Sequence, residues 1–193
     1  MESVNIVIVG TENTGKTCFF HRYANDIFLK FTPAKNIDFK DFETVLDDKC
    51  CAFSLFDTPG QDNYEHLRPL AYNNVSAFII CYSISNRDSY ERISMKVIPE
   101  LMRIFEWPVP VILVATKIDF RDNPNVQHKE LLITTDEGLQ LANKIRANKF
   151  IECSAKLNIG IKEAIHEALR AAHEELMKEK PQKKVLCFSC RQS

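Results

Sequence analysis

Gly10-Thr11-Glu12-Asn13-Thr14-Gly15-Lys16-Thr17 fits the pattern G-x-x-x-x-G-K-[ST]. An apolar run at residues 4–9 precedes it and reads as a buried strand. A helical pattern over residues 16–24 follows it. Strand, glycine-bounded turn and helix are the context in which this pattern carries chemistry. The glycines let successive backbone N–H groups converge on phosphate oxygens at the positive end of a helix. Lys16 would bring a cation to the β- and γ-phosphates, and Thr17 a hydroxyl to Mg²⁺. Glu12, Asn13, Thr14, Gly15, Lys16, Thr17 and the adjoining Cys18 are therefore predicted nucleotide contacts.

Working outward, residues 39–46 alternate polar and apolar, Asp47-Asp48 reads as a turn, and 51–56 is the hairpin partner. Residues 77–83 and 109–115 are continuous apolar runs, as expected of strands covered on both faces. A short strand at 150–153 is the last. Helical patterns lie at 63–71, 87–105 and 135–147, and a long one at 159–177 carries apolar Ile161, Ala164, Ile165, Ala168, Leu169 and Ala172 on one stripe. Strands that alternate with helices give an α/β fold. Its sheet of six strands should be mostly parallel, with one antiparallel edge strand and helices on both faces. One domain over 1–178 and a basic, flexible tail over 179–193 follow from where the patterning stops.

The phosphate loop alone does not choose a base. Thr116-Lys117-Ile118-Asp119 ends a buried strand, where open α/β sheets bind ligands. The Asp119 carboxylate can accept from both the ring N–H and the exocyclic amine of guanine, a donor pair that adenine lacks. Lys117 would lay its alkyl stem over the base. Ser154-Ala155-Lys156 follows the last strand and offers a backbone N–H to guanine O6. Asp57-Thr58-Pro59-Gly60-Gln61 closes the strand at 51–56. Asp57 there can hold Mg²⁺, the Gly60 N–H can meet a γ-phosphate, and Gln61 can orient water. Lys16 and Gln61 are thus the predicted catalytic residues, and Thr17 and Asp57 the metal ligands.

Composition sets the bounds. The chain has 193 residues, 45% of them hydrophobic, enough for a substantial core. A formal charge of −1 gives no electrostatic case for nucleic acid. No apolar run is long enough to span a membrane, and residues 1–5 show no basic leader. The seven cysteines are irregularly spaced. Cys50, Cys51, Cys81 and Cys153 sit in strand-like runs and read as buried free thiols of a reducing, cytosolic protein. The pair Cys187 and Cys190 has CxxC spacing but no second pair to complete a zinc site.

The ordered set of motifs resembles the Ras-superfamily small GTPases over residues 4–178 and, within them, the Rho/Rac branch. The branch resemblance rests on Gly15-Lys16-Thr17-Cys18, on Gln61-Asp62-Asn63-Tyr64-Glu65-His66-Leu67-Arg68-Pro69-Leu70, and on Glu152-Cys153-Ser154-Ala155-Lys156. Residues 121–136 resemble a shortened form of the helical insert that marks Rho proteins. The resemblance implies a monomeric P-loop GTPase domain that binds GTP and GDP with Mg²⁺ and hydrolyses GTP slowly. It also implies exchange factors, GTPase-activating proteins and effectors of Rho type, acting on actin and membranes. By position, Phe28 matches the aromatic that packs on guanine; a plain core phenylalanine is the other reading.

Three positions depart from the family. Glu12 stands where glycine is usual, near the γ-phosphate and Gln61. A like charge about 4 Å away costs roughly 4 kcal/mol at an effective dielectric near 20, unless the side chain turns outward. Lys35 falls where the switch threonine should ligate Mg²⁺, with Ala34 and Asn36 beside it and Thr32-Pro33 in reversed order; a charged lysine is no hard-cation ligand. Pro59 replaces alanine, fixes φ and removes an N–H. Either Lys35 compensates, by pairing with Glu12 or with the γ-phosphate, or the two positions have drifted independently.

The tail ends Cys190-Arg191-Gln192-Ser193, a prenylation-like ending whose middle residues are not aliphatic. Lys178, Lys180, Lys183 and Lys184 could add about 1 kcal/mol each at an anionic surface, and Cys187 could carry a second acyl chain. An unmodified solvated tail is the alternative. Two readings of function stand: a cycling GTPase switch, cytoplasmic and at the cytoplasmic face of membranes, or a GTP-binding module that hardly hydrolyses. A P-loop kinase or ATPase would require Asp119 to be irrelevant.

Overall fold

The computed structural model describes residues 4–29, 36–61, 68–105 and 109–179. Six strands form one sheet in the order β2-β3-β1-β4-β5-β6. They are β1 (Val4–Val9), β2 (Asp38–Leu46), β3 (Lys49–Asp57), β4 (Val75–Ser83), β5 (Val111–Thr116) and β6 (Lys149–Glu152). All neighbours run parallel except β2 against β3, so the expected antiparallel edge is present. Asp47 and Asp48 both take positive φ, at 48° and 62°. Two successive left-handed residues twist the hairpin in the sense the strands require, and aspartate tolerates that region.

The apolar runs of β1, β4 and β5 are buried from both sides. On one face α1 (Lys16–Asn25) and α6 (Ile161–Glu179) enclose Ile6, Ile8, Phe19, Leu55, Ile79 and Leu169. On the other, the helical segment over 87–104 and α5 (Thr135–Ile145) enclose Val7, Phe78, Ile80, Leu101, Leu113 and Leu141. The long helical pattern at 87–105 is not one regular helix. It runs as α3 (Arg87–Arg92), a π-helical turn (Ile93–Val97) and α4 (Ile98–Ile104). Pro99 explains the break, because it cannot donate to the carbonyl four residues back and its ring crowds that carbonyl. The Ile98 N–H reaches instead to the Ile93 carbonyl, five residues back.

Two expectations need correction. Cys50 is exposed, whereas Cys51, Cys81 and Cys153 are buried. β3 alternates at this end, so adjacent cysteines face opposite ways. The insert-like segment holds no α-helix before α5 begins at Thr135, only turns and a 3₁₀ turn over Lys129–Leu131. Of the helix expected at 63–71, α2 (Arg68–Ala71) is described. Residues 62–67, the switch positions Thr32, Pro33, Ala34 and Lys35, and Lys180, Lys183, Lys184, Cys187 and Cys190 lie outside the described residues.

The strand order reverses at β1, which lies between β3 and β4. Open α/β sheets place their ligand site at the carboxyl ends of the strands at such a point. There β1 gives way to Gly10 at φ 144°, and a β-carbon on it would strike the Cys81 carbonyl. Only glycine lets the loop leave the strand this close to β4.

Candidate nucleotide-binding site

The loop after β1 curls over the N-terminus of α1. Asn13 and Gly15 take positive φ, at 58° and 90°. Thr14 donates its hydroxyl to the Thr11 carbonyl at 3.0 Å, closing the turn on itself. The loop is also gripped from β5: the buried Thr116 hydroxyl lies within hydrogen-bond reach of the Thr14 and Tyr82 carbonyls. Lys117 donates to the Asn13 carbonyl at 2.6 Å. Thr116 and Lys117, read as base-motif residues, therefore also brace the phosphate loop.

A cleft of about 530 Å³ opens over this loop. Its walls include Glu12, Asn13, Gly15, Lys16, Thr17, Cys18, Phe28, Gly60, Gln61, Thr116, Lys117, Asp119, Ala155 and Lys156. Segments far apart in the chain thus converge, as the motifs require. Phe28 is 36% exposed and lines the cleft, which favours base packing over a core role.

At one end the buried Asp119 accepts a 2.7 Å hydrogen bond from the Ser154 hydroxyl. Lys156 lies 3.8 Å from its other oxygen. Ser154 is thus a positioning residue for the carboxylate. Its own N–H is committed to the Ile159 carbonyl at 3.0 Å, so a guanine carbonyl would have to use a later N–H of that turn. Arg22 on α1 fixes the turn further, donating to the Ala155 carbonyl at 2.7 Å. Nothing in the local sequence around Arg22 signals this role, since its partner is 133 positions away.

At the other end, Lys16 is buried and donates to the Thr11 carbonyl at 2.6 Å. Burial pushes its ammonium down to about 8, against the opposing pull of Asp57. Asp57 is completely buried, and neither carboxylate oxygen has a donor in good hydrogen-bond geometry, the Thr17 hydroxyl being near but not well aligned. Burial raises its pKa to about 6, which the neighbouring Thr17 hydroxyl and Lys16 only partly offset. An unsatisfied buried carboxylate beside a hydroxyl fits a hard divalent cation. Among the described residues no three His, Cys, Asp or Glu side chains gather as a metal cluster.

Gly60 is packed against the loop, where a β-carbon would fall on Lys16 Nζ and the Thr11 carbonyl. Glu12 is exposed and lines the cleft wall, within electrostatic reach of Lys16. Thr58 and Arg68 also shape this end of the site, and no local sequence pattern signals either role. The Thr58 hydroxyl ties the strand end to the Ile8 carbonyl at 2.7 Å. Arg68 binds the Pro59 carbonyl at 3.2 Å.

The Ras family model matches residues 5–174. The Ras-like GTP-binding protein RhoL of Drosophila melanogaster is 37% identical over 172 residues, covering 89% of this chain and 88% of the relative. The Rho-related protein racC of Entamoeba histolytica is 34% identical over 190 residues, covering 96% and 95%. With the convergent cleft and a match over nearly the whole domain, the chain belongs to the Ras family and is a small GTPase similar to the Rho and Rac proteins.

Proposed function

We propose that the protein binds GTP and GDP with Mg²⁺, slowly hydrolyses GTP to GDP and works as a membrane-associated, Rho-like switch in signalling to the actin cytoskeleton. The observation that carries this reading is one continuous cleft. It is lined by the Asp119 carboxylate, which Ser154 holds, and by the buried Lys16, with Asp57 buried behind the lining and acting on Lys16 by its charge. The relative described as GTP-binding supports the same ligand.

Hydrolysis on this site is an in-line displacement: water oxygen bonds to the γ-phosphorus, the bridge to the β-phosphate oxygen breaks, and the water proton ends on phosphate. Gln61 would orient the water. Lys16 would neutralise charge on the β- and γ-oxygens. When bound, Mg²⁺ supplies further neutralisation of the phosphate oxygens, and Thr17 and Asp57 are the residues that would hold it. Exchange factors, activating proteins and effectors of Rho type would act on the switch segments. Cys190, with Cys187 and the tail lysines, would anchor an otherwise cytoplasmic monomer. Among the described residues no helix is long and apolar enough to cross a membrane.

The exposed Glu12 favours a second reading, a GTP-bound module with little turnover, because its carboxylate stands where an activating arginine would enter. Displacement of fluorescent GDP by GTP but not ATP tests the ligand. An Asp119→Asn protein should weaken for guanine and gain for xanthine, whose 2-position offers an acceptor. Displacement by ATP with equal strength would refute the guanine assignment. Membrane partitioning that survives Cys190→Ser would refute the prenyl anchor.

A further inference from the structure

Arg68 and Glu100 form a 2.6 Å ion pair whose side chains are only 5% and 6% exposed. Glu100 also accepts from the Tyr72 hydroxyl at 3.2 Å. Burying such a pair seldom adds stability over an apolar replacement, so what it holds in place matters. The Arg68 Nε–H donates to the Pro59 carbonyl at 3.2 Å, joining α2 and α4 to the loop after β3. That carbonyl shares a planar trans peptide with the Gly60 N–H, and in such a unit C=O and N–H point in opposite directions. Holding the Pro59 oxygen toward Arg68 therefore turns the Gly60 N–H away from Arg68. The Gly60 Cα already lies against Lys16 and Thr11. Pro59 adds a second constraint, since its ring fixes φ on the other side of the same carbonyl.

We infer that Arg68, oriented by Glu100 and Tyr72, is a positioning residue that presets the Pro59–Gly60 peptide for a terminal phosphate. The latch would set how strongly the cleft prefers a nucleoside triphosphate over a diphosphate. This rests on the guanine-nucleotide reading above.

The test is the Arg68→Met/Glu100→Gln protein, which removes the latch without leaving a lone buried charge and keeps an acceptor for Tyr72. Its Kd values for GDP and for a non-hydrolysable GTP analogue are compared with those of native protein, with melting temperature as a fold control. The analogue should weaken about tenfold, as for one misaligned hydrogen bond to a charged group, while GDP changes less than about twofold. A purely structural role would weaken both ligands by the same factor and overturn the inference, as would no change in either. Should the double variant not fold, Glu100→Gln alone must show the same selective loss in smaller measure, and an unaltered ratio would overturn the inference. Native protein that binds neither nucleotide would overturn the cleft reading, and the latch with it.

Discussion

Ser154 donates a 2.7 Å hydrogen bond to Asp119 across 35 positions of sequence, with both side chains buried. The two base motifs are therefore one device. The serine holds in place the carboxylate oxygen that we propose meets the base.

Replacing Ser154 by alanine should release Asp119 and leave a buried carboxylate short of a donor. Hydrogen bonds to charged groups contribute about 1.5–3 kcal/mol. GDP affinity should therefore fall by at least about tenfold, measured by fluorescent-nucleotide titration. The weak affinity for ATP should not change. An equal loss for both nucleotides would point to a collapsed loop instead.

Asp57 should couple nucleotide to metal. In native protein, chelating Mg²⁺ should accelerate GDP release by about tenfold or more, a usual size for coupling between adjacent ligands. In Asp57→Asn, release should already be fast and should respond to chelator by less than about twofold. Stopped-flow release of a fluorescent GDP reads both. A variant that kept the full chelator response would remove Asp57 from the metal site.

Glu137 links α3 to the start of α5. It accepts from Arg87 at 2.6 Å and from the Thr134 N–H at 2.8 Å, closing a capping box at the start of α5. The Arg87 hydrogen bond, then the cap, holds its pKa down to about 2 from 4.5. A depressed folded-state value contributes stability above pH 4.5 that is lost as pH falls from there to about 2. Because both partners are about a third or more exposed, screening limits the effect to about 1 kcal/mol. Glu137→Gln should thus be less stable than native by about that amount at pH 7 and equal to it near pH 2. Urea unfolding across this range reads the difference.

Glu12 is exposed, so its charge is screened. Glu12→Gly should therefore leave single-turnover GTP hydrolysis within about threefold of native. It should raise the rate seen with an arginine-supplying activating protein much more, since that arginine contributes about 10³–10⁵. A mutant that instead regains intrinsic turnover from a silent native protein would establish the poorly hydrolysing module.

How much was legible beforehand varies with the range of the interaction. Gly10 to Thr17 announces its own conformation, because glycines at fixed spacing after an apolar run permit few alternatives. The order of β2 and β3 was readable from period-two alternation and two aspartates at the turn. Cys50 departs from its expected burial because a short apolar run does not reveal which face each residue takes. The segment at 87–105 looked like one helix because its apolar spacing continues through Pro99, while the π turn answers to a missing N–H.

The α/β class, the phosphate loop and the base motifs can be read along the chain, because each of these is local chemistry with its own spacing. Tertiary structure alone decided that Ser154 grips Asp119, that Arg22 holds Ala155 and that Arg68 with Glu100 pins Pro59. Those partners are set by how helices pack on the sheet, and no periodicity along the chain records which buried donor will meet which acceptor.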